Sequence, residues 1–216
     1  VLDTGVELKR RNRMDITLAF IGQGKLKPAL MERAKREGLQ KENQDKPIVA
    51  IASDTRPSGS SLKESVILGL RSMAVQAIDY GVVPTPALAF GVLKHAANFG
   101  VMITASHNPA DDNGIKCFTA QGTKLRLEQE LALESLIGHE HSTAEPPKET
   151  EYRSILDEYL KNLETYFSGL DLSGLSIAVD SANGATSETT YRILESLGAN
   201  VLKIHHGDGV INSECG

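Results

Sequence analysis

Apolar and polar positions along the chain fall into blocks whose spacing switches between strand-like and helix-like. Residues 48–52 (Ile-Val-Ala-Ile-Ala) form an unbroken apolar run between Pro47 and the polar string Ser53-Asp54-Thr55-Arg56-Pro57-Ser58-Gly59. That is the pattern of a strand buried on both faces. Ser61-Leu62-Lys63-Glu64 then matches a capping box, and Leu62, Val66, Leu70 and Met73 recur at helical spacing. Residues 75–80 fit either an extension of that helix or a strand, because a short apolar run has no decisive period. Gly81 and Pro84-Thr85-Pro86 end whatever precedes them, and a helix is predicted over 87–97. Val101-Met102-Ile103 opens a second buried strand, which breaks into Ser106-His107-Asn108-Pro109. Asp112-Asn113-Gly114 turns the chain back into a strand-like run at 115–119.

Beyond Gly122 the pattern predicts an amphipathic helix over 126–137. A segment without apolar periodicity at 138–151 contains two adjacent prolines and reads as a linker. A helix is predicted over 152–167, with Ile155, Leu156, Tyr159, Leu160, Leu163 and Phe167 on one side. A strand at 175–179, a helix reaching Leu197 with Gly198 as its stop, and a strand at 200–204 complete one more βαβ unit. The strand–helix alternation predicts an α/β fold with a largely parallel sheet. The organisation read from it is a first unit over 15–137, a linker, and part of a second unit over 152–216. Ahead of these lie an apolar run at 16–21 and a helical pattern at 28–41. Residues 1–14, with the basic cluster Lys9-Arg10-Arg11-Asn12-Arg13, read as a leader or a solvated segment.

Composition narrows the function classes. With 216 residues, 40% apolar residues and a net charge of −5, the chain can build a core and is a poor electrostatic match for nucleic acid. No apolar run reaches membrane-spanning length, and two cysteines, Cys117 and Cys215, make no disulfide framework. The expectation is a cytoplasmic protein with neither a membrane nor a nucleic-acid partner. His139, His141 and the pair His205-His206 lack a supporting cysteine or carboxylate constellation for a metal. Gly22-Gln23-Gly24 and Gly207-Asp208-Gly209 match no phosphate-binding glycine fingerprint and read as turns.

Candidate chemistry collects where the strand at Val101 meets its polar turn. The carboxyl ends of parallel strands are where α/β sheets gather ligands. Ser106 suits a nucleophile or phosphate carrier, although serine ahead of Asn-Pro is also ordinary turn chemistry. His107 suits a base or an anion contact, or is merely solvated. Lys116 sits on a strand, where an inward-facing ammonium needs an anion. Arg56 suits the same anion or a local pairing with Asp54. Ser106 does not lie in a Gly-x-Ser-x-Gly elbow, which argues against acyl transfer.

The string Thr104-Ala105-Ser106-His107-Asn108-Pro109, continued by Asp112-Asn113-Gly114-Ile115-Lys116, resembles the phosphoserine loop of the α-D-phosphohexomutase superfamily. Asp54-Thr55-Arg56, Pro84-Thr85-Pro86-Ala87, Gly122-Thr123-Lys124-Leu125, Val179-Asp180-Ser181-Ala182-Asn183-Gly184-Ala185 and Gly209-Val210-Ile211-Asn212-Ser213-Glu214-Cys215-Gly216 support the resemblance. The phosphoglucosamine mutase branch is the nearest match, with phosphomannomutase/phosphoglucomutase as runner-up. The resemblance runs from about residue 47 onward and makes 75–80 a strand. It implies a mixed, largely parallel sheet with helices on both faces. It also implies isomerisation of a hexose or hexosamine phosphate through its 1,6-bisphosphate, with Ser106 carrying the phosphate. Lys116 and His107 would be catalytic, and Arg56, Asn108 and Lys124 would bind substrate or phosphate. A Mg²⁺ would reach Ser106 through its phosphate.

The superfamily's Asp-Gly-Asp-x-Asp-Arg metal loop, its later sugar- and phosphate-binding loops and its N-terminal Phe-Gly-Thr-x-Gly-x-Arg-Gly loop are not matched. Phe20-Ile21-Gly22-Gln23-Gly24-Lys25 stands at the place of the last. The expectation is therefore a fragment without mutase activity on its own. The alternative is a non-catalytic binding or assembly module, and the open sheet edge of the second unit favours self-association.

Overall fold

The computed structural model describes residues 47–73, 75–135 and 150–215. The readings of residues 1–46, and of 138–149 in the linker, fall outside them. The described elements are β1 (Ile48–Ser53), α1 (Gly59–Ser72), β2 (Gln76–Val82), α2 (Thr85–Lys94), β3 (Phe99–Ile103), β4 (Ile115–Thr119) and α3 (Leu127–Glu134). They continue with β5 (Glu151–Tyr152), α4 (Leu156–Tyr166), β6 (Ser176–Asp180), a 3₁₀ turn (Ala185–Glu188), α5 (Thr190–Ser196) and β7 (Asn200–Ile204).

The first five strands form one sheet in the order β4-β3-β1-β2-β5. β1 lies parallel to both β2 and β3, whereas β4 runs antiparallel at the edge. The mixed, largely parallel sheet is thus the one the resemblance implied. β1 is central, and all six of its residues are buried. Successive strand side chains point to opposite faces, so β1 feeds two cores. Ile48, Ala50 and Ala52 pack with Leu88 and Val92 of α2, while Val49 and Ile51 pack with Val66 and Leu70 of α1. Two-sided burial is why this strand reads as a continuous apolar run rather than an alternating one.

Several boundaries move from their predicted places, each for a physical reason. Helix α1 begins at Gly59, ahead of the expected box at Ser61. The Gly59 amide already donates to the Arg56 carbonyl at 2.9 Å, so the turn starts there. The Ser61 hydroxyl instead donates back to the Ser58 carbonyl at 3.1 Å, inside the first turn. Residues 76–82 are strand, paired in parallel with β1. Helix α2 starts at Thr85, with Pro86 in its first turn, where a missing N–H costs nothing. Tyr152 does not open a helix: Glu151 and Tyr152 pair with Ile78 and Asp79 as β5. The open edge of β2 offered backbone partners there, and the helix starts only at Leu156. Ile155 is fully buried in the core beneath α2, so residues read as the start of the second unit also complete the first sheet.

The second unit is smaller. β6 and β7 pair in parallel from Ser176↔Asn200 to Asp180↔Ile204. The predicted single helix between them divides into the 3₁₀ turn and α5. Gly198, at φ +98°, ends α5 in a conformation that disfavours side chains. No described helix is long and apolar enough to cross a membrane.

Candidate active site

The site is the loop between β3 and β4, residues 104–114. Its ends are tied together, since the Thr104 amide donates to the Gly114 carbonyl at 2.9 Å. Underneath lies Arg56, whose side chain is 0% exposed. A guanidinium has five N–H donors, and the loop and Asp54 together use the whole fork. Nε donates to Asp54 Oδ2 at 3.1 Å, and Nη1 to the carbonyls of Asp112 at 2.9 Å and of Pro109. Nη2 donates to the carbonyls of Ser106 and Asn108, each at 2.9 Å. Arg56 therefore holds the loop from within. Every N–H of its head is engaged within the protein, and the head is sealed from solvent.

Asp54 sits beside it, nearly buried, with its carboxylate fully used. Oδ1 accepts the Arg56 amide at 3.1 Å, while Oδ2 accepts Arg56 Nε and the Thr104 hydroxyl, the latter at 2.6 Å. The Thr104 oxygen in turn accepts the Ser106 amide at 3.1 Å. Ser106 has φ +59°, a left-handed conformation that a non-glycine residue keeps only when its surroundings enforce it. Here its N–H and its C=O are both held, and its side chain is left exposed.

The second unit closes on the same loop. Asn212, itself left-handed at φ +56°, donates its side-chain amide to the Ser106 and Asn108 carbonyls, both at 2.9 Å. The Thr55 hydroxyl donates to the Asn183 carbonyl at 2.7 Å. Asn183 is buried: its amide donates to the His205 carbonyl at 2.7 Å, and its Oδ1 accepts the Gly207 amide at 3.1 Å. The turns at 181–184 and 205–213 are thereby fastened to each other and to the Ser106 loop.

The other sequence candidates are placed unevenly. His107 is exposed beside Ser106. Asn108 is half-buried and turns its amide to Asp112 Oδ2 at 3.3 Å, so its side chain helps shape the loop. Lys116 pairs across the sheet with Met102, one position into β4 from the loop, and is half-buried. Lys124 is not brought here by the sheet. Its backbone bridges to Phe118, whose β3 partner is Gly100, towards the end of the strand pair away from Ser106. Cys117 is sealed in the α1-side core, where burial pushes its thiol well above the ordinary range and leaves it unreactive.

No group of three or more His, Cys, Asp or Glu among the described residues is arranged to hold a metal ion. Asp54, the carboxylate under the loop, already accepts three hydrogen bonds from Arg56 and Thr104. These residues do not by themselves fit a Mg²⁺ site. Sequence reasoning assigned no role to Thr104, Thr55, Asn183 or Asn212. Their one signal was membership of motif strings, together with the tolerance of asparagine for left-handed turns.

Residues 20–144 match the family described as phosphoglucomutase/phosphomannomutase, alpha/beta/alpha domain I. The chain is 39% identical over 183 residues to a phosphoglucosamine mutase of Clostridium novyi (strain NT), covering 81% of this chain and 40% of that one. It is 41% identical over 186 residues to a phosphoglucosamine mutase of Clostridium beijerinckii, covering 81% of this chain and 41% of that one. It thus spans about 40% of the length of these relatives. A solved phosphoglucomutase/phosphomannomutase family protein from Burkholderia thailandensis superposes with a TM-score of 0.72 at 21% identity, over 97% of this chain and 45% of that one. At that identity the likeness speaks for the fold. A matched domain that includes the whole Ser106 loop places this chain in the phosphoglucomutase/phosphomannomutase family.

Proposed function

We propose that this chain supplies the phosphate-carrying half of a phosphohexomutase, of the phosphoglucosamine mutase kind, with Ser106 as the carrier. The observation that carries the reading is Ser106 itself: an exposed hydroxyl on a left-handed residue whose backbone is pinned on both sides. Phosphoryl transfer asks mainly for in-line positioning and charge neutralisation, and a loop held this way supplies the positioning. A hydroxyl of the hexose or hexosamine phosphate attacks the phosphorus carried on Ser106. The bond from phosphorus to Ser106 Oγ breaks, and the sugar hydroxyl's proton passes by way of Lys116 to Ser106 Oγ, leaving a sugar 1,6-bisphosphate and a free Ser106 hydroxyl. In the reverse step Ser106 Oγ takes the other phosphoryl group and releases the isomer. Lys116, at the edge of the loop, is the general acid/base or the counter-charge to the moving group, with His107 as a second polar partner. The family's magnesium would neutralise the phosphoryl oxygens when bound, and no step here is routed through it.

The test is intact mass after incubating the chain with glucosamine 1,6-bisphosphate, with and without Mg²⁺. The expected result is a gain of one phosphoryl group on the wild type and none on Ser106→Ala. Label that survives in the alanine variant removes Ser106 as the carrier. An unlabelled wild type favours the non-catalytic module of the same fold.

A further inference from the structure

Arg56 and Asn212 donate to the same two oxygens. The carbonyls of Ser106 and Asn108 each accept one bond from Arg56 Nη2 and one from Asn212 Nδ2, and all four are 2.9 Å long. Arg56 belongs to the first unit and is buried beneath the loop. Asn212 comes from the second unit and approaches from the more exposed side. Each donor is anchored within its own unit. Arg56 is locked by Asp54, while the Asn212 main chain is fixed by its backbone N–H, which donates to the Ala182 carbonyl at 3.0 Å. A carbonyl has two lone pairs, so each of these oxygens is saturated.

We propose that Asn212 is a positioning residue for Ser106: docking of the second unit fixes the Ser106 carbonyl and with it the left-handed turn that presents the hydroxyl. Left-handed backbone at a non-glycine residue is unfavourable and persists only where it is over-determined. Arg56 and Thr104 supply that determination from the first unit. Asn212 adds the one that depends on the two units being together, and Thr55 on Asn183 anchors the same docking a few residues away. The carrying serine would then be presented correctly only when the second unit is seated. This inference rests on the phosphate-carrier reading for its functional meaning, but its structural half can be tested without it.

Asn212→Gly keeps the left-handed backbone free of strain and removes only the amide. Asn212→Asp keeps size and turn preference but sets an acceptor against two carbonyls. In full-length chain labelled for NMR, both variants are expected to move the carbonyl ¹³C resonances of Ser106 and Asn108 upfield. The amides of residues 106–108 should exchange about tenfold faster, the size of one net hydrogen bond lost. Amides of β1 should be unchanged, and those of β6 and β7 should stay protected. Unmoved loop resonances in both variants overturn the proposal. If either variant loses the protection of β6 and β7, the wild type decides. There the Asn212 side-chain amide must exchange more slowly than that of exposed Asn200, and equal rates overturn the proposal. The functional half reads the rate at which Ser106 accepts phosphate from the sugar bisphosphate. It should fall about tenfold in Asn212→Gly at saturating donor, with the half-saturating concentration unchanged. A change confined to the half-saturating concentration makes Asn212 a binding residue and overturns the positioning role. If the wild type accepts no phosphate while the loop resonances still move, the carrier reading fails and the clamp stands.

Discussion

The Thr104 hydroxyl donates to Asp54 Oδ2 at 2.6 Å and accepts the Ser106 amide at 3.1 Å, so one buried oxygen links the carboxylate that follows the central strand to Ser106. Thr104→Val keeps the shape and removes both bonds. It leaves the Ser106 amide without a partner and takes one donor from a buried carboxylate. The expected cost is about 1–3 kcal/mol in urea unfolding. Thr104→Ser should recover most of it. Equal losses in the valine and serine variants would mean that packing, rather than the hydroxyl, matters.

Arg56 and Asp54 are buried together, and Arg56 spans four loop carbonyls besides. A lysine there preserves the charge but supplies a point rather than a fork. Arg56→Lys should destabilise the chain by about 2–4 kcal/mol and make the loop at 104–114 the first site of proteolytic cleavage. A variant with wild-type stability and wild-type resistance to protease would show that the fork is dispensable.

Gly91, on α2, meets Tyr80 across the core. A Cβ at that position would stand 2.4 Å from Tyr80 Cε2 and 2.8 Å from Cζ. The Tyr80 hydroxyl also donates towards the Gly91 carbonyl at 3.0 Å, so the ring has little freedom to retreat. Gly91→Ala should cost about 1–3 kcal/mol by overpacking, despite the better helix propensity of alanine. Shortening the partner in Gly91→Ala/Tyr80→Leu should make the two losses less than additive, and strict additivity would place the strain elsewhere.

Burial, followed by the nearby positive Arg153, holds the pKa of His95 below its ordinary value. Its Nδ1 lies 2.7 Å from the Tyr80 hydroxyl. The folded chain therefore resists protonating His95 where the unfolded chain, titrating at about 6.5, accepts the proton. Unfolded chain binds more protons in that window, so stability is full above it and falls as pH drops through it. The urea midpoint should decrease between about pH 7.5 and about pH 5.5, and less so in His95→Gln. An identical slope in the variant would assign the decrease to other groups.

The sheet was legible because its central strand is apolar at nearly every position and because the helices between strands carry a clear period. Ile48 to Ala52 could hardly sit anywhere but between two layers. β5 was not legible: two residues, one of them the exposed Tyr152, gain their place from the free edge of β2 rather than from their own pattern. At the site, Ser106 and its strand–turn–strand setting could be read from local sequence. The destination of Arg56 could not, since four of its acceptors are backbone carbonyls on a loop that any side chains would provide. The same holds for Asn212, whose partners are again main-chain oxygens distant in sequence. Side-chain patterns announce which residues are buried or charged; they say little about which carbonyls will face them.

The antiparallel edge strand has one further consequence. β4 is registered on β3 from Ile103↔Ile115 to Phe99↔Thr119, and the loop between them is tied at Thr104 and Gly114. Lys116 stands on the Met102 side of the sheet, while Ile115 and Cys117 fill the opposite core. A slip of one residue would turn the lysine into the α1-side core and take Ile115 and Cys117 out of it. An inserted or deleted residue within β4 would therefore invert every side chain that follows it. The loop's carbonyls are fixed by Arg56 and Asn212, and the parity of the strand that follows it is fixed by the two cores.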